Sequence, residues 1–337
     1  MDVLKLYNYT YRLYLLLTIL IYCFVTLDLK AQDQPGHNRV LNMADPTVFY
    51  YDGIYYLYGT YRADEGFQVY ESTNLKEWKG PSGKLSEGFC LRKENVYGDR
   101  GFWAPQVFEK DGIFYMAYTA NEHISIAKSK SPLGPFEQES QLPIGREAER
   151  KIDPFIYNAP NGKTYMYYVK VANGGNRIYV SEITPDFKGL IEESTKLCIE
   201  ATNPWENFED AEWTVTEGPS ILFHKGLYYM VYSANDFRSQ HYAVGYAVSD
   251  SPDGPWKKWQ QPILKMEDVG VPGTGHGDFF LGEDGRMYYV FHTHFSKEQV
   301  APRKTAIIQA DFVENDKGEI VLTMNPDTWR YLEEQRK

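Results

Sequence analysis

Short runs of alternating apolar and polar residues, separated by corners rich in Gly, Asp and Asn, fill the chain from about residue 40 to 325. Helical spacing of apolar residues is almost absent. Period-two alternation marks half-buried strands, because successive side chains leave opposite faces of a pleated backbone. The runs fall into five copies of one plan: "ADPTVFYYDGIYYLYGT" (44–60), "WAPQVFEKDGIFYMAYTA" (103–120), "IDPFIYNAPNGKTYMYYVK" (152–170), "EGPSILFHKGLYYMVYSA" (217–234) and "GHGDFFLGEDGRMYYVFHTH" (275–294). Each copy opens on a polar or special residue, runs as an apolar strand, turns through a Gly-containing corner and returns as a Tyr-rich strand. A third strand and a turn phrase follow several of them, "SPLGPF" (131–136) and "SPDGPW" (251–256) being near-copies.

A repeat of 50 to 64 residues holding a hairpin and further strands is the content of a propeller blade. The expected fold is therefore all-β, a single five-bladed β-propeller forming one domain over residues 32–337. A sandwich would show alternating strands without a repeated opening residue. The C-terminal "TWRYLEEQRK" is expected to close the ring as a strand end or a short helix.

Asp45, Trp103, Asp153, Glu217 and His276 are taken as equivalent openings, and propeller symmetry gathers such positions at one mouth of the central channel. Three of the five are carboxylates. Pro follows Asp45 and Asp153 directly, and follows Trp103 and Glu217 after one residue. A proline keeps the preceding residue extended and donates no hydrogen bond, which fixes the aim of an acid at a rim. One Asp-Pro alone is a common turn device. Three acids at repeated openings are more specific, because their mutual repulsion has to be offset.

Composition narrows the ligand. The chain has 28 Tyr, 18 Phe and 7 Trp, which offer flat apolar faces suited to sugars. A formal charge of −11 without Lys/Arg runs argues against nucleic acid and polyanionic glycans and for a neutral substrate. Lys5 and Arg12 precede an apolar run over 13–27, and polar residues follow Ala31, so residues 1–31 read as an export signal peptide. The run is shorter than the ~20 residues of a full span. No membrane span is then expected in the mature protein, located in the periplasm, on the cell surface or secreted; retention of the leader as an anchor is the alternative. Cys90 and Cys198 remain, and no spacing argument pairs them. "GTGHG" lacks the strand-before, helix-after setting of a dinucleotide loop, and there is no HExxH, P-loop or Ser elbow. His292 and His294 share a strand face without a third ligand and read as structural, hydrogen-bonded histidines.

"NMADPTVFYYDGIYYLYGT", "WAPQVFEKDGIFYMAYT", "KIDPFIY", "TEGPSILFHKGLYYMVYSA" and "GTGHGDFF" together resemble glycoside hydrolase family 43, from about Asn42 to Phe312. The resemblance implies a five-bladed propeller that removes pentosyl units from neutral plant oligo- or polysaccharide with inversion at the anomeric carbon. It implies Asp45 as general base, Glu217 as general acid, and Asp153 as the residue that raises the pKa of Glu217 and orients it. It further implies Arg303 reaching the sugar hydroxyls and His276 in the channel beside a structural Ca2+ or Na+ held through water, with no cofactor required. Trp103, with Phe102 beside it, is expected to wall the sugar pocket. Whole-chain resemblance favours an α-L-arabinofuranosidase; the alternatives are a β-D-xylosidase, a non-catalytic glycan-binding propeller, or a related enzyme acting on fructosides or galactans. Trp205, Phe208 and Trp213 of "CIEATNPWENFEDAEW" are expected to line acceptor subsites or to pack on the blade beneath.

Overall fold

The computed structural model describes residues 38–145 and 148–335. The expected leader, residues 1–31, lies outside the described residues. Five antiparallel sheets follow one another along the chain. The first blade holds Ala44–Tyr51, Ile54–Thr60 and Tyr70–Ser72; the second holds Trp103–Lys110, Ile113–Ala120 and His123–Ser129. The third holds Lys151–Asn158, Thr164–Ala172, Gly175–Ile183 and Leu190–Ile199, and the fourth Thr214–His224, Leu227–Ala234, Ala243–Ser249 and Lys257–Lys258. Gly275–Leu281, Met287–Thr293, Lys304–Glu314 and Ile320–Tyr331 form the fifth. The opening strand of each blade packs on that of the next, and the fifth packs on the first. The ring is the five-bladed β-propeller that the repeats predict.

The chain ends close it. Glu333–Glu334 pairs antiparallel with Arg39–Val40 and parallel with Glu77–Trp78, so the C-terminal segment is a strand and not a helix. Buried aromatics fill the wedges between blades: Tyr58, Phe67, Phe102 and Tyr118 between the first and second, Tyr167 and Tyr232 between the third and fourth. A ring buried in this way stabilises the fold by about 1.5–3 kcal/mol. Cys90 is buried and Cys198 partly so, and both thiols are free. Among the described residues no helix is long and apolar enough to cross a membrane.

The expected equivalence of the five openings is corrected by one residue. In every blade the pairing of the first two strands slips at the same place, between Ala44 and Thr47, Trp103 and Gln106, Ile152 and Phe155, Glu217 and Ser220, and Gly275 and Asp278. The residue after the first of each pair has positive φ: Asp45 (48°), Ala104 (45°), Asp153 (56°), Gly218 (59°) and His276 (41°), so the four that precede a proline are not extended as expected but turned by the bulge. Asp45, Asp153 and His276 are thus equivalent, whereas Glu217 and Trp103 stand one residue earlier, beside Ala44, Ile152 and Gly275. Because side chains alternate along a strand, one step is a change of direction. A β-bulge at each opening turns the chain at the channel, and a positive φ on a non-Gly residue there costs on the order of 1–3 kcal/mol.

Each bulge is tied to the blade before it by its N–H. Asp45 N–H donates to His292 Nδ1 (3.1 Å), Ala104 N–H to Thr60 Oγ1 (3.0 Å), Asp153 N–H to Thr119 Oγ1 (3.0 Å) and His276 N–H to Ser233 Oγ (2.8 Å). The acceptor in these four cases is the residue paired opposite the preceding bulge. In the third blade that residue is Val169, which has no acceptor, and Gly218 N–H donates instead to Asp153 Oδ2 (3.2 Å). Gly218 has to be Gly because a Cβ there would lie 2.8 Å from the imidazole of His276.

Candidate active site

The mouth of the channel gathers two buried carboxyls around one imidazole, with a third, Glu217, one residue before the neighbouring bulge. Nδ1 of His276 lies 3.4 Å from Asp45 Oδ1 and 3.8 Å from Asp153 Oδ2, so those two carboxylates are within about 7 Å of each other. Glu217 joins them through its neighbour, since Asp153 accepts the Gly218 N–H. Asp45, Asp153 and Glu217 are all less than a tenth exposed.

Their surroundings differ, and so do their proton affinities. Burial alone would raise the pKa of Asp45. Arg303, then His276 and His292, and the Thr60 hydroxyl overcome it and hold the carboxyl well below the usual range. The contacts are direct: Arg303 Nη1 donates to Oδ1 at 3.0 Å and Thr60 Oγ1 to Oδ2 at 2.7 Å. Glu217 is pushed up to about 7, mainly by burial, with Asp45 and Asp236 adding negative field; hydrogen bonds from Tyr242 and Asn176 oppose the rise. Tyr242 Oη donates to Oε1 at 2.9 Å and Asn176 Nδ2 to Oε2 at 3.2 Å. Burial, then Glu217 and Asp45, raise Asp153 well above its ordinary value. Burial thus lifts Glu217 more than any like charge does, and the cluster carries fewer than three negative charges near neutrality. One ionised carboxylate and one protonated carboxyl within electrostatic reach of each other can remove a proton on one side and deliver one on the other.

Several side chains complete the mouth. Arg303, apart from Asp45, lies 3.2 Å from His292 Nε2, and its guanidinium covers the half-exposed ring of Phe237 at 4.7 Å. Trp103 is partly exposed, on the same rung as Glu217. Phe102 is corrected: it is fully buried, stacked on Tyr118 and edge-on to Phe67, and cannot reach a sugar. Of the loop aromatics, Trp205 stacks on Tyr232 in the blade, whereas Phe208 and Trp213 are exposed, Phe208 lying on His241 at 3.8 Å. His292 is the hydrogen-bonded histidine expected, and its partners place it in the site: it accepts the Asp45 N–H and contacts Arg303. Burial lowers the pKa of His276, so it stands neutral between the acids. Among the described residues no three His, Cys, Asp or Glu side chains are placed to hold a metal ion directly. An ion at His276 would have to be held through water.

Sequence reasoning missed Tyr242, Asn176 and Phe237. None sits in a repeat opening. Asn176 reaches Glu217 because the third strand of the third blade runs parallel to the entry of the fourth, pairing Asn176 with Val215.

The sequence profile described as Glycosyl hydrolases family 43 matches residues 37–317. The chain belongs to this family. It is a glycoside hydrolase. A β-D-galactofuranosidase of Aspergillus niger is 26% identical over 304 residues, covering 82% of this chain and 81% of that protein. Xylosidase/arabinosidase 43A of Humicola insolens is 26% identical over 260 residues, covering 63% of this chain and 77% of its own. The crystal structure of an endo-1,4-β-xylanase from Bacteroides thetaiotaomicron is 38% identical with a TM-score of 0.79, covering 89% of this chain and 99% of that one. The family 43 hydrolase thus shares fold and reaction class with proteins whose names span furanosides and xylan.

Proposed function

We propose that this family 43 hydrolase is an exported, inverting exo-α-L-arabinofuranosidase. Asp45, held ionised chiefly by Arg303, removes a proton from water on one face of the sugar ring. Glu217, protonated, gives its proton to the departing glycosidic oxygen on the other. Asp153, its own carboxyl biased toward the neutral form by burial and its two acidic neighbours, holds the Glu217 strand through the Gly218 N–H rather than lifting the acid by charge. Arg303 and Trp103 bind the glycon. The observation that carries this reading is the split between Asp45, held far down, and Glu217, pushed up to about 7, at one channel mouth. An inverting enzyme needs such a base and acid roughly 6.5–9.5 Å apart, with room for the water.

The arabinofuranosyl unit is supported by the relatives' names. A β-D-galactofuranoside and an α-L-arabinofuranoside share ring size and ring stereochemistry and differ in the exocyclic chain, so one pocket plan serves both. The 38% identical neighbour carries a xylan name, which favours β-D-xyloside as the second reading.

Release of p-nitrophenol from the α-L-arabinofuranoside and the β-D-xyloside, by wild type and by Asp45→Ala, separates the two. Activity on the furanoside that falls by about a hundredfold or more in the variant, the scale of a lost general base, supports the proposal. Activity confined to the xyloside transfers it to the second reading. No hydrolysis of either, with oligosaccharide still bound, overturns the catalytic assignment.

A further inference from the structure

One hydrogen bond to Glu217 has its direction fixed from outside the carboxyl cluster. Asn176 Nδ2 donates to Glu217 Oε2 (3.2 Å), and Asn176 Oδ1 accepts from Trp213 Nε1 (3.1 Å). An amide turned end for end would set its oxygen against the carboxyl and favour the protonated acid. Indole nitrogen has a donor and no acceptor, so it is compatible with only one of the two orientations. The backbone holds the pair at this crossing, Gly175 and Asn176 running parallel to Thr214 and Val215.

The same tryptophan faces solvent. It is 42% exposed and walls an open cleft of about 650 Å3 that Asn207, Asp236 and His241 also line. That volume is in the range of small-ligand sites. The cleft lies along the entry strand of Glu217, since Val215 and Asn235 border it.

We infer that Trp213 is a positioning residue of the hydrolytic site: its ring is a platform for the sugar on the leaving-group side, and its N–H, acting through Asn176, holds a donor against Glu217. The inference rests on the reading of Glu217 as proton donor. A departing sugar that stacks on the indole rests on the side chain that orients the amide, so filling this subsite and stabilising the carboxylate left as Glu217 gives up its proton are one event.

The test is kcat and KM against pH for Trp213→Phe, Trp213→Ala, Asn176→Ala and the Trp213→Phe/Asn176→Ala double variant, on an unactivated arabino- or xylo-oligosaccharide, with Glu217→Ala alongside. Trp213→Phe keeps the ring and loses the N–H. It should leave KM within about twofold and lower kcat roughly fivefold, the scale of one net hydrogen bond. The alkaline limb should rise by about half a unit, because the carboxylate loses an oriented donor. The double variant should be no worse than Asn176→Ala alone, since the indole works through the amide. Trp213→Ala should in addition raise KM for the oligosaccharide. An unmoved alkaline limb in Trp213→Phe, or effects that add in the double variant, overturns the inference. If Glu217→Ala keeps its activity on the oligosaccharide, the proton-donor reading itself fails. If Glu217→Ala is inactive and the Trp213→Phe limb is unmoved, only the role of Trp213 fails.

Discussion

At the scale of single residues, Glu217 stands between opposed influences. Burial favours its neutral form, while the Tyr242 hydroxyl and the Asn176 amide favour the charged one. Its acid form should be lost near pH 7, so kcat/KM is expected to fall above about that pH, while ionised Asp45 sets no limb in the mildly acid range. Tyr242→Phe removes a donor to the carboxylate, raises its pKa and should move the alkaline limb upward; a pH–rate profile of the variant checks the sign. Gly218→Ala puts a methyl 2.8 Å from His276 at φ +59° and should lower both the melting temperature and kcat, measurable by calorimetry and assay. Asp45, Asp153 and Glu217 were legible because a proline follows each within two residues. Tyr242, Asn176 and His292 were not, because each meets the acids from another strand, and nothing in one dimension brings them near. Phe102 was misplaced because adjacency to Trp103 in sequence means the opposite direction on a pleated chain.

At the scale of elements, the blades were readable from the repeat alone, but their register was read one step wrong. Pro46, Pro105, Pro154 and Pro219 mark equivalent positions, and Glu217, two residues before its proline, therefore precedes the place of Asp45. The bulge that makes this matter leaves no pattern of its own beyond that extra Gly. The loop carrying Trp205, Phe208 and Trp213 is held by one buried acid. Glu206, with no exposed surface, accepts Tyr232 Oη, the N–H groups of Thr202 and Asn203, and Lys258 Nζ at 2.6 Å. Lys258→Met would leave that carboxylate without its cation, a change that costs about 3–5 kcal/mol in a buried pair. A melting temperature lower by several degrees, with KM for oligosaccharide raised through the loosened loop, is the expected outcome; an unchanged melt would show that the loop is anchored otherwise.

At the scale of the whole molecule, the ring places its charged site where folding would rather have none, and stability should depend on pH accordingly. Asp45 is depressed below its ordinary 3.8, so its contribution is present above that pH and lost as pH falls through the folded value. Glu217 is raised from 4.5 to about 7, so its contribution is present below pH 4.5 and is lost as pH rises through 7. Glu217→Gln, which cannot ionise, should therefore melt higher than wild type at pH 8, with the gap closing toward pH 4; melts at the two pH values decide it. In the proposed reaction both groups serve one step, a single displacement by water that inverts the sugar. Proton NMR of the first-formed sugar from an α-L-arabinofuranoside, recorded before mutarotation, tests that claim most directly. Inversion by water gives the β-anomer of arabinose first; first formation of the α-anomer would mean a carboxylate attacks the sugar itself and would contradict the roles of Asp45 and Glu217.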